Sequence, residues 1–145
     1  MRRSKSEHYL HAVWATYRRE PLITREMQGP LYTFIEGQAR HLRCPVLALN
    51  RMPDHVHLIV RIPTVMCAAQ LMKQIKGSSS AYLNDLTART PYFQWQEGSG
   101  TFSLCEPILT KAISYVENQE MHHTGGPLWP ELEEADEEVP NLTGG

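Results

Sequence analysis

No run of about 18 apolar residues occurs in this chain, so no segment reads as a membrane-spanning helix. The start, MRRSK, is basic, but the SEHYLHAVWATYRRE that follows mixes polar and apolar residues and lacks the continuous apolar core of a secretory signal. A cytoplasmic protein is therefore expected. Cysteine is scarce: Cys44, Cys67 and Cys105 stand far apart with no CxxC pair, which argues against a disulfide framework and against a cysteine-based zinc site. All three are expected as small, reduced core residues. No GxxxxGK[ST] appears, so there is no Walker phosphate loop.

Lysine and arginine are also missing from one end. All 14 lie at or before Lys111, against 8 of the 16 acidic residues, and the other 8 acids follow it. The formal net charge of -2 thus hides a basic body and an acidic end. A basic body suits a polyanion and the acidic end would oppose it, though a solvated mixed surface accounts for the charges equally well.

At 145 residues, 41% of them hydrophobic and 21% charged, the chain is of a size and composition for one domain with one core. HYLHAVWATY (8–17) is aromatic and β-branched and reads as a first strand. Thr24 and the residues from Met27 onward start a helix in which Leu31, Phe34, Ile35 and Leu42 recur at helical spacing, with Pro30 near its beginning. VLALNRMPD and HVHLIVRI read as two strands of a hairpin that turns at Pro53 and Asp54. A long helix follows from Val65, with Leu71, Met72, Ile75 and Leu83 apolar and GSSS (77–80) weakening its middle. FQWQEGSGTFSL (93–104) reads as strand, turn, strand, and PILTKAISYVENQEMHH as a last helix with Pro107 in its first turn. The order β, α, β, β, α, β, α is α+β: a ferredoxin-like, split-βαβ antiparallel sheet with helices on one face and an added C-terminal helix. Residues 1–124 form the domain; residues 125–145 form a tail with six acids between Glu131 and Glu138 that reads as flexible, with Trp129 as a potential anchor.

The chemistry centres on His55-Val56-His57. Alternate side chains of a strand share a face, so His55 and His57 project together while Val56, Leu58 and Val60 project to the other side. Two imidazoles on a rigid strand make half of a metal site; two partly buried histidines satisfied by backbone groups are the plainer reading. A histidine-triad hydrolase would need histidine at position 59, where Ile59 stands.

In the last helix Tyr115 and Gln119 are one turn apart on the same face. The Gln119 carbonyl is a hard ligand suited to Mg²⁺ or Mn²⁺ and poor for zinc, and the Tyr115 hydroxyl can attack phosphorus. Taken alone, Tyr115 reads as a packed aromatic and Gln119 as a surface residue. His122 and His123 read as the helix end, favourable to its dipole, and Glu117, Asn118 and Glu120 as solvated positions.

Four segments together, HYLHAVWATYRREPLI, MPDHVHLIV, MKQIKGSSSAYLN and YVENQEMHH, resemble the single-tyrosine HUH (IS200-like) transposases, and within them the REP-associated tyrosine transposases. The resemblance runs from about residue 8 to residue 123. It implies a ferredoxin-like fold, His55, His57 and Gln119 as ligands of Mg²⁺ or Mn²⁺, and Tyr115 as a nucleophile that cuts single-stranded or hairpin DNA through a 5′-phosphotyrosine link. It suggests DNA contacts in the segment holding Lys73, Lys76, Gly77, Ser78 and Ser79; Arg18 and Arg19 invite the same reading, with solvated positions as the alternative for all of them. A cytoplasmic, nucleoid-associated protein follows. Homodimers and monomers both occur among relatives, so the resemblance is compatible with a homodimer as well as a monomer. Trp14, Tyr17, Tyr92 and Trp95 could stack on bases, with core packing as the default. Two other readings stand beside this one: a ferredoxin-like nucleic-acid-binding module without catalysis, and a metal hydrolase of a small phosphoester.

If the acidic end competes with DNA for the basic body, deleting residues 125–145 tightens DNA binding at low salt; a titration showing unchanged affinity removes that role.

Overall fold

The computed structural model describes residues 8–87 and 92–118. Its elements are β1 (Tyr9–Ala15), a short 3-10 turn (Tyr17–Arg19), α1 (Arg25–His41), β2 (Val46–Met52), β3 (His55–Arg61), α2 (Ala68–Thr87), β4 (Gly100–Leu104) and α3 (Glu106–Glu117). The four strands form one sheet in the order β2-β3-β1-β4. Every neighbouring pair is antiparallel. β1 and β2 therefore run parallel with β3 inserted between them, the split-βαβ arrangement expected from the element order.

β3 is buried at every position but the last. Its two faces meet different partners, which explains why a strand of an antiparallel sheet lacks the usual polar alternation. Val56, Leu58 and Val60 pack with Leu10, Ala12 and Trp14 of β1 against α1 and α2. Ile59, on the opposite face, packs with Ala48, Leu104 and the α3 residues Ala112, Tyr115 and Val116. Two helices thus cover one face and the third covers the other.

α1 buries Met27, Leu31, Ile35 and Ala39, a repeat of four that keeps one stripe on the core. Phe34 leaves that stripe and stacks on Tyr82 of α2 at 4.4 Å between ring centroids. α2 begins at Ala68 rather than Val65, which is 91% exposed in the preceding turn. The helix runs unbroken through Gly77-Ser78-Ser79-Ser80. Each serine hydroxyl donates back to a carbonyl one turn earlier: Ser78 to Gln74 at 2.6 Å, Ser79 to Lys76 at 3.3 Å and Ser80 to Gly77 at 3.1 Å. The hydroxyls that would compete with the helix are spent inside it.

Residues 93–97 do not form the first arm of a hairpin with β4. Trp95 makes only an isolated bridge to Thr16 at the end of β1. Asn84 of α2 clamps the Phe93 backbone, accepting from its N–H at 2.7 Å and donating to its C=O at 2.9 Å. The Trp95 indole donates to Ser79 Oγ at 2.9 Å. Burial of Phe93 and Trp95 beneath α2 outweighs pairing with β4.

Of the cysteines only Cys44 is in the core, where burial pushes its thiol up from the ordinary value. Cys67 and Cys105 are exposed, one just before α2 and the other at the N-cap of α3. Among the described residues no helix is long and apolar enough to cross a membrane.

Gly77 is exposed in mid-helix, and a Cβ placed there would meet nothing within 4 Å. Gly77→Ala should raise the unfolding free energy by about 0.5–1 kcal/mol, read from urea denaturation.

Candidate active site

His55 and His57 share the face of β3 that meets α3, as the strand parity requires, and both rings are buried. Their centroids are 5.1 Å apart with the rings nearly perpendicular. Tyr115 of α3 lies against His57, with the ring centroids 6.2 Å apart. The folded chain therefore gathers three of the groups singled out from the sequence. The fourth, Gln119, lies outside the described residues, as do His122, His123 and the acidic end.

Each imidazole is held through Nδ1. His55 Nδ1 is 2.7 Å from Asp54 Oδ1. An ionised carboxylate only accepts, so the ring carries its proton on Nδ1 and donates it. Burial works to raise the Asp54 carboxyl, but the hydrogen bond from His55 and the neighbouring Arg19 guanidinium outweigh it and hold the group below its ordinary value. Arg19 Nε donates to Asp54 Oδ2 at 3.3 Å. The 3.4 Å approach of Arg19 to His55 Nδ1 is a proximity rather than a bond, since that nitrogen already bears a proton. His57 Nδ1 lies 2.9 Å from His11 Nε2 of β1, a histidine that the sequence did not single out.

Arg18 and Arg19 both have φ of 54°, the left-handed region that costs about 1–2 kcal/mol per non-glycine residue. The turn is held by its surroundings. Thr16 N–H donates to the Asp54 carbonyl, Tyr17 N–H to Gln94 and Arg19 N–H to Thr16, each at 2.9 Å. Arg18 N–H donates to Gln96 Oε1 at 3.0 Å, and the Arg18 guanidinium lies over the Tyr17 ring. The backbone strain delivers Arg19 to the Pro53-Asp54 turn, so Arg19 supports the site and Arg18 stays exposed.

Asn50 of β2 is the cross-strand partner of His57. Its Nδ2 donates to the carbonyls of Val116 at 2.9 Å and Glu117 at 3.3 Å, and its Oδ1 accepts from the Tyr32 hydroxyl at 2.9 Å. The last turn of α3 has carbonyls without helical partners, and Asn50 supplies donors for them. Tyr115 is thereby fixed in register against His57.

The remaining candidates divide. Lys73 is exposed. Ser78 is half-buried with its hydroxyl turned onto its own helix, and Ser79 is fully buried, away from any surface that DNA could touch. Lys76 donates to Gln96 O at 2.8 Å, Gly98 O at 2.6 Å and Ser99 Oγ at 3.3 Å, and so pins the loop in which Gly98 takes a φ of 84°. Trp14 and Trp95 are core residues, whereas Tyr17 is 39% and Tyr92 70% exposed.

The donor set fits a divalent ion as two of its ligands. Among the described residues the Nε2 atoms of His55 and His57 are buried and enter no hydrogen bond, and no three His, Cys, Asp or Glu side chains come together to hold a metal. Any further ligand must be of another type or come from elsewhere in the chain, from solvent or from substrate.

Burial pushes Lys76 down to about 8, against a smaller opposing pull from Glu97. Between that value and the 10.5 of an unfolded lysine the unfolded chain binds the extra proton, so stability rises with pH across this window. Lys76→Met should cost about 1–3 kcal/mol by leaving the part-buried carbonyls of Gln96 and Gly98 without this donor. The gap from the parent should widen as urea melts are taken from pH 8 to pH 10.

The family model described as "Transposase IS200 like" matches residues 4–119. No curated protein matches. Among solved structures, that of a candidate transposase from Deinococcus radiodurans R1 is similar, with a TM-score of 0.66 at 21% identity over 82% of this chain and 98% of that one. A REP-associated tyrosine transposase bound to a REP hairpin is similar with a TM-score of 0.62 at 18% identity, over 88% of this chain and 74% of that one. At such identities the structures attest the fold, and the family match, which spans most of the sequence and takes in the histidine pair and Tyr115, makes this chain a member of the IS200-like transposases.

Proposed function

We propose that the chain is a metal-dependent DNA strand-transferase that nicks and rejoins single-stranded, hairpin-bearing DNA through a phosphotyrosine link. The observation that carries this reading is the approach of Tyr115 to His57, whose ring in turn lies beside that of His55, on the α3 face of the sheet. Membership in a transposase family supports DNA cleavage as the activity, and the neighbour bound to a REP hairpin supports hairpin DNA as the partner.

In this reading His55 and His57 would hold Mg²⁺ or Mn²⁺, with the Gln119 amide oxygen as a third ligand. A divalent ion held there would draw charge off the scissile phosphate and so offset the weakness of a tyrosine nucleophile whose ordinary pKa is about 10. Tyr115 Oη forms the new bond to phosphorus and loses its proton to solvent. The P–O3′ bond breaks, and the departing oxygen takes up a proton as a 3′-hydroxyl. The 5′-phosphate stays on Tyr115, and attack by another strand's 3′-hydroxyl reverses the sequence. The ester link carries the bond energy forward, so joining needs no nucleotide cofactor. Asn50 keeps the nucleophile in place throughout by anchoring the end of α3.

Tyr115 is only 4% exposed and both histidines are buried. That burial favours, as the second reading, a nucleic-acid-binding module without catalysis. A denaturing gel separates the two. Hairpin oligonucleotides labelled at either end are incubated with the protein and Mn²⁺ or Mg²⁺. The transferase reading predicts a metal-dependent band at protein mass from the 3′-labelled strand, and release of the 5′-labelled fragment. Tyr115→Phe should abolish the band while DNA binding stays within about twofold, and His57→Ala should reduce the band by about 100-fold or more. Binding without any adduct would leave the module as the better account.

A further inference from the structure

We propose that His11 is a positioning residue for His57, accepting a hydrogen bond from its Nδ1–H so that His57 Nε2 keeps the lone pair a metal ion needs. The proposal rests on the reading of His55 and His57 as a metal pair. It adds a residue from a different strand and assigns the protons.

His11 sits opposite Ile59 and His57 opposite Val13 in the β1–β3 register, so the two histidines are diagonal neighbours on the α3 face. Both rings are fully buried, with centroids 5.1 Å apart and Nε2 to Nδ1 at 2.9 Å. Phe102 of β4 packs on the far side of His11 at 6.1 Å, which limits where that ring can go.

One proton lies between the two nitrogens, and it can belong to either. If His11 donates it, a neutral His57 carries its own proton on Nε2 and cannot bind a cation there. If His57 donates it, Nε2 of His57 presents a lone pair, as Nε2 of neutral His55 does when Nδ1–H is given to Asp54. Only the second arrangement gives the pair two ligand atoms of the same kind. A ligand histidine is commonly oriented in this way by a partner on its other nitrogen. His11 would then do for His57 what Asp54 does for His55, with one difference. Asp54 lies in a turn, 30% exposed and paired with Arg19, whereas His11 is fully buried in mid-sheet. A neutral acceptor at position 11 orients the ring without burying another negative charge.

The tautomer can be read directly in the unaltered protein. Long-range ¹H–¹⁵N spectra of histidine-labelled, metal-free protein, with His57 assigned by its absence in His57→Gln, should show His57 protonated on Nδ1. Protonation on Nε2 overturns the proposal. Mn²⁺ titration, followed by the resonance of the free ion, tests the consequence without reference to activity. His11→Phe keeps the ring but removes the acceptor, and should weaken Mn²⁺ binding about 10–100-fold. His11→Gln retains an acceptor oxygen and should recover most of that loss. Parental affinity in His11→Phe, with His57→Ala impaired, overturns the positioning role and leaves the metal reading standing. Unchanged affinity in His57→Ala removes the metal reading and the proposal with it. If His11→Phe does not fold, the spectra of the unaltered protein still decide.

Discussion

The structure turns on a strand that must satisfy two faces at once. β3 is covered by α1 and α2 on one side and by α3 on the other, so every side chain except the last is withdrawn from water. On the first side this costs nothing, because Val56, Leu58 and Val60 are apolar. On the second it places two imidazoles in a setting where unsatisfied polar atoms are expensive. The neighbours respond accordingly: Asp54 accepts a hydrogen bond from Nδ1–H of His55, and His11 meets Nδ1 of His57. Rings fixed at one nitrogen have a fixed direction for the other, and a buried site is thereby shaped before any ligand arrives.

The supports for this pair come from across the chain. The end of β1, the strained turn at Arg18 and Arg19, and the Pro53-Asp54 turn are tied together by backbone hydrogen bonds, so the carboxylate beside His55 is held by the sheet as well as by a cation. Asn50 ties the last turn of α3 to the strand next to His57. Lys76 and the Trp95–Ser79 contact secure the segment that packs alongside Thr16.

Much of this was legible in the sequence because it depends on local rules. The parity of His55 and His57 follows from strand geometry, and the stripe through Leu31 and Ile35 follows from helical spacing. The element order sufficed for the split-βαβ topology. What escaped depends on register and on distant partners. His11 lies in a segment readable as a strand, but its meeting with His57 needs the β1–β3 pairing. Asn50 looks like any polar strand residue until α3 docks beside it. Lys76 and Ser79 carry groups suited to phosphate, yet a loop's carbonyls and a buried indole claim them first. Phe93 and Trp95 alternate as a strand would, and the core beneath α2 takes them instead. Cys67 and Cys105 flank helices rather than filling the core. Residue type alone does not distinguish these outcomes, since the same side chain serves either.

The central claim is that one fold brings a divalent ion, held by His55 and His57, to face Tyr115. Anomalous diffraction from crystals soaked in Mn²⁺ tests it most directly. The account predicts a single strong peak within ligand distance of both Nε2 atoms and on the side of Tyr115. A map with no peak between the two histidines, or with Mn²⁺ bound only elsewhere, would contradict it.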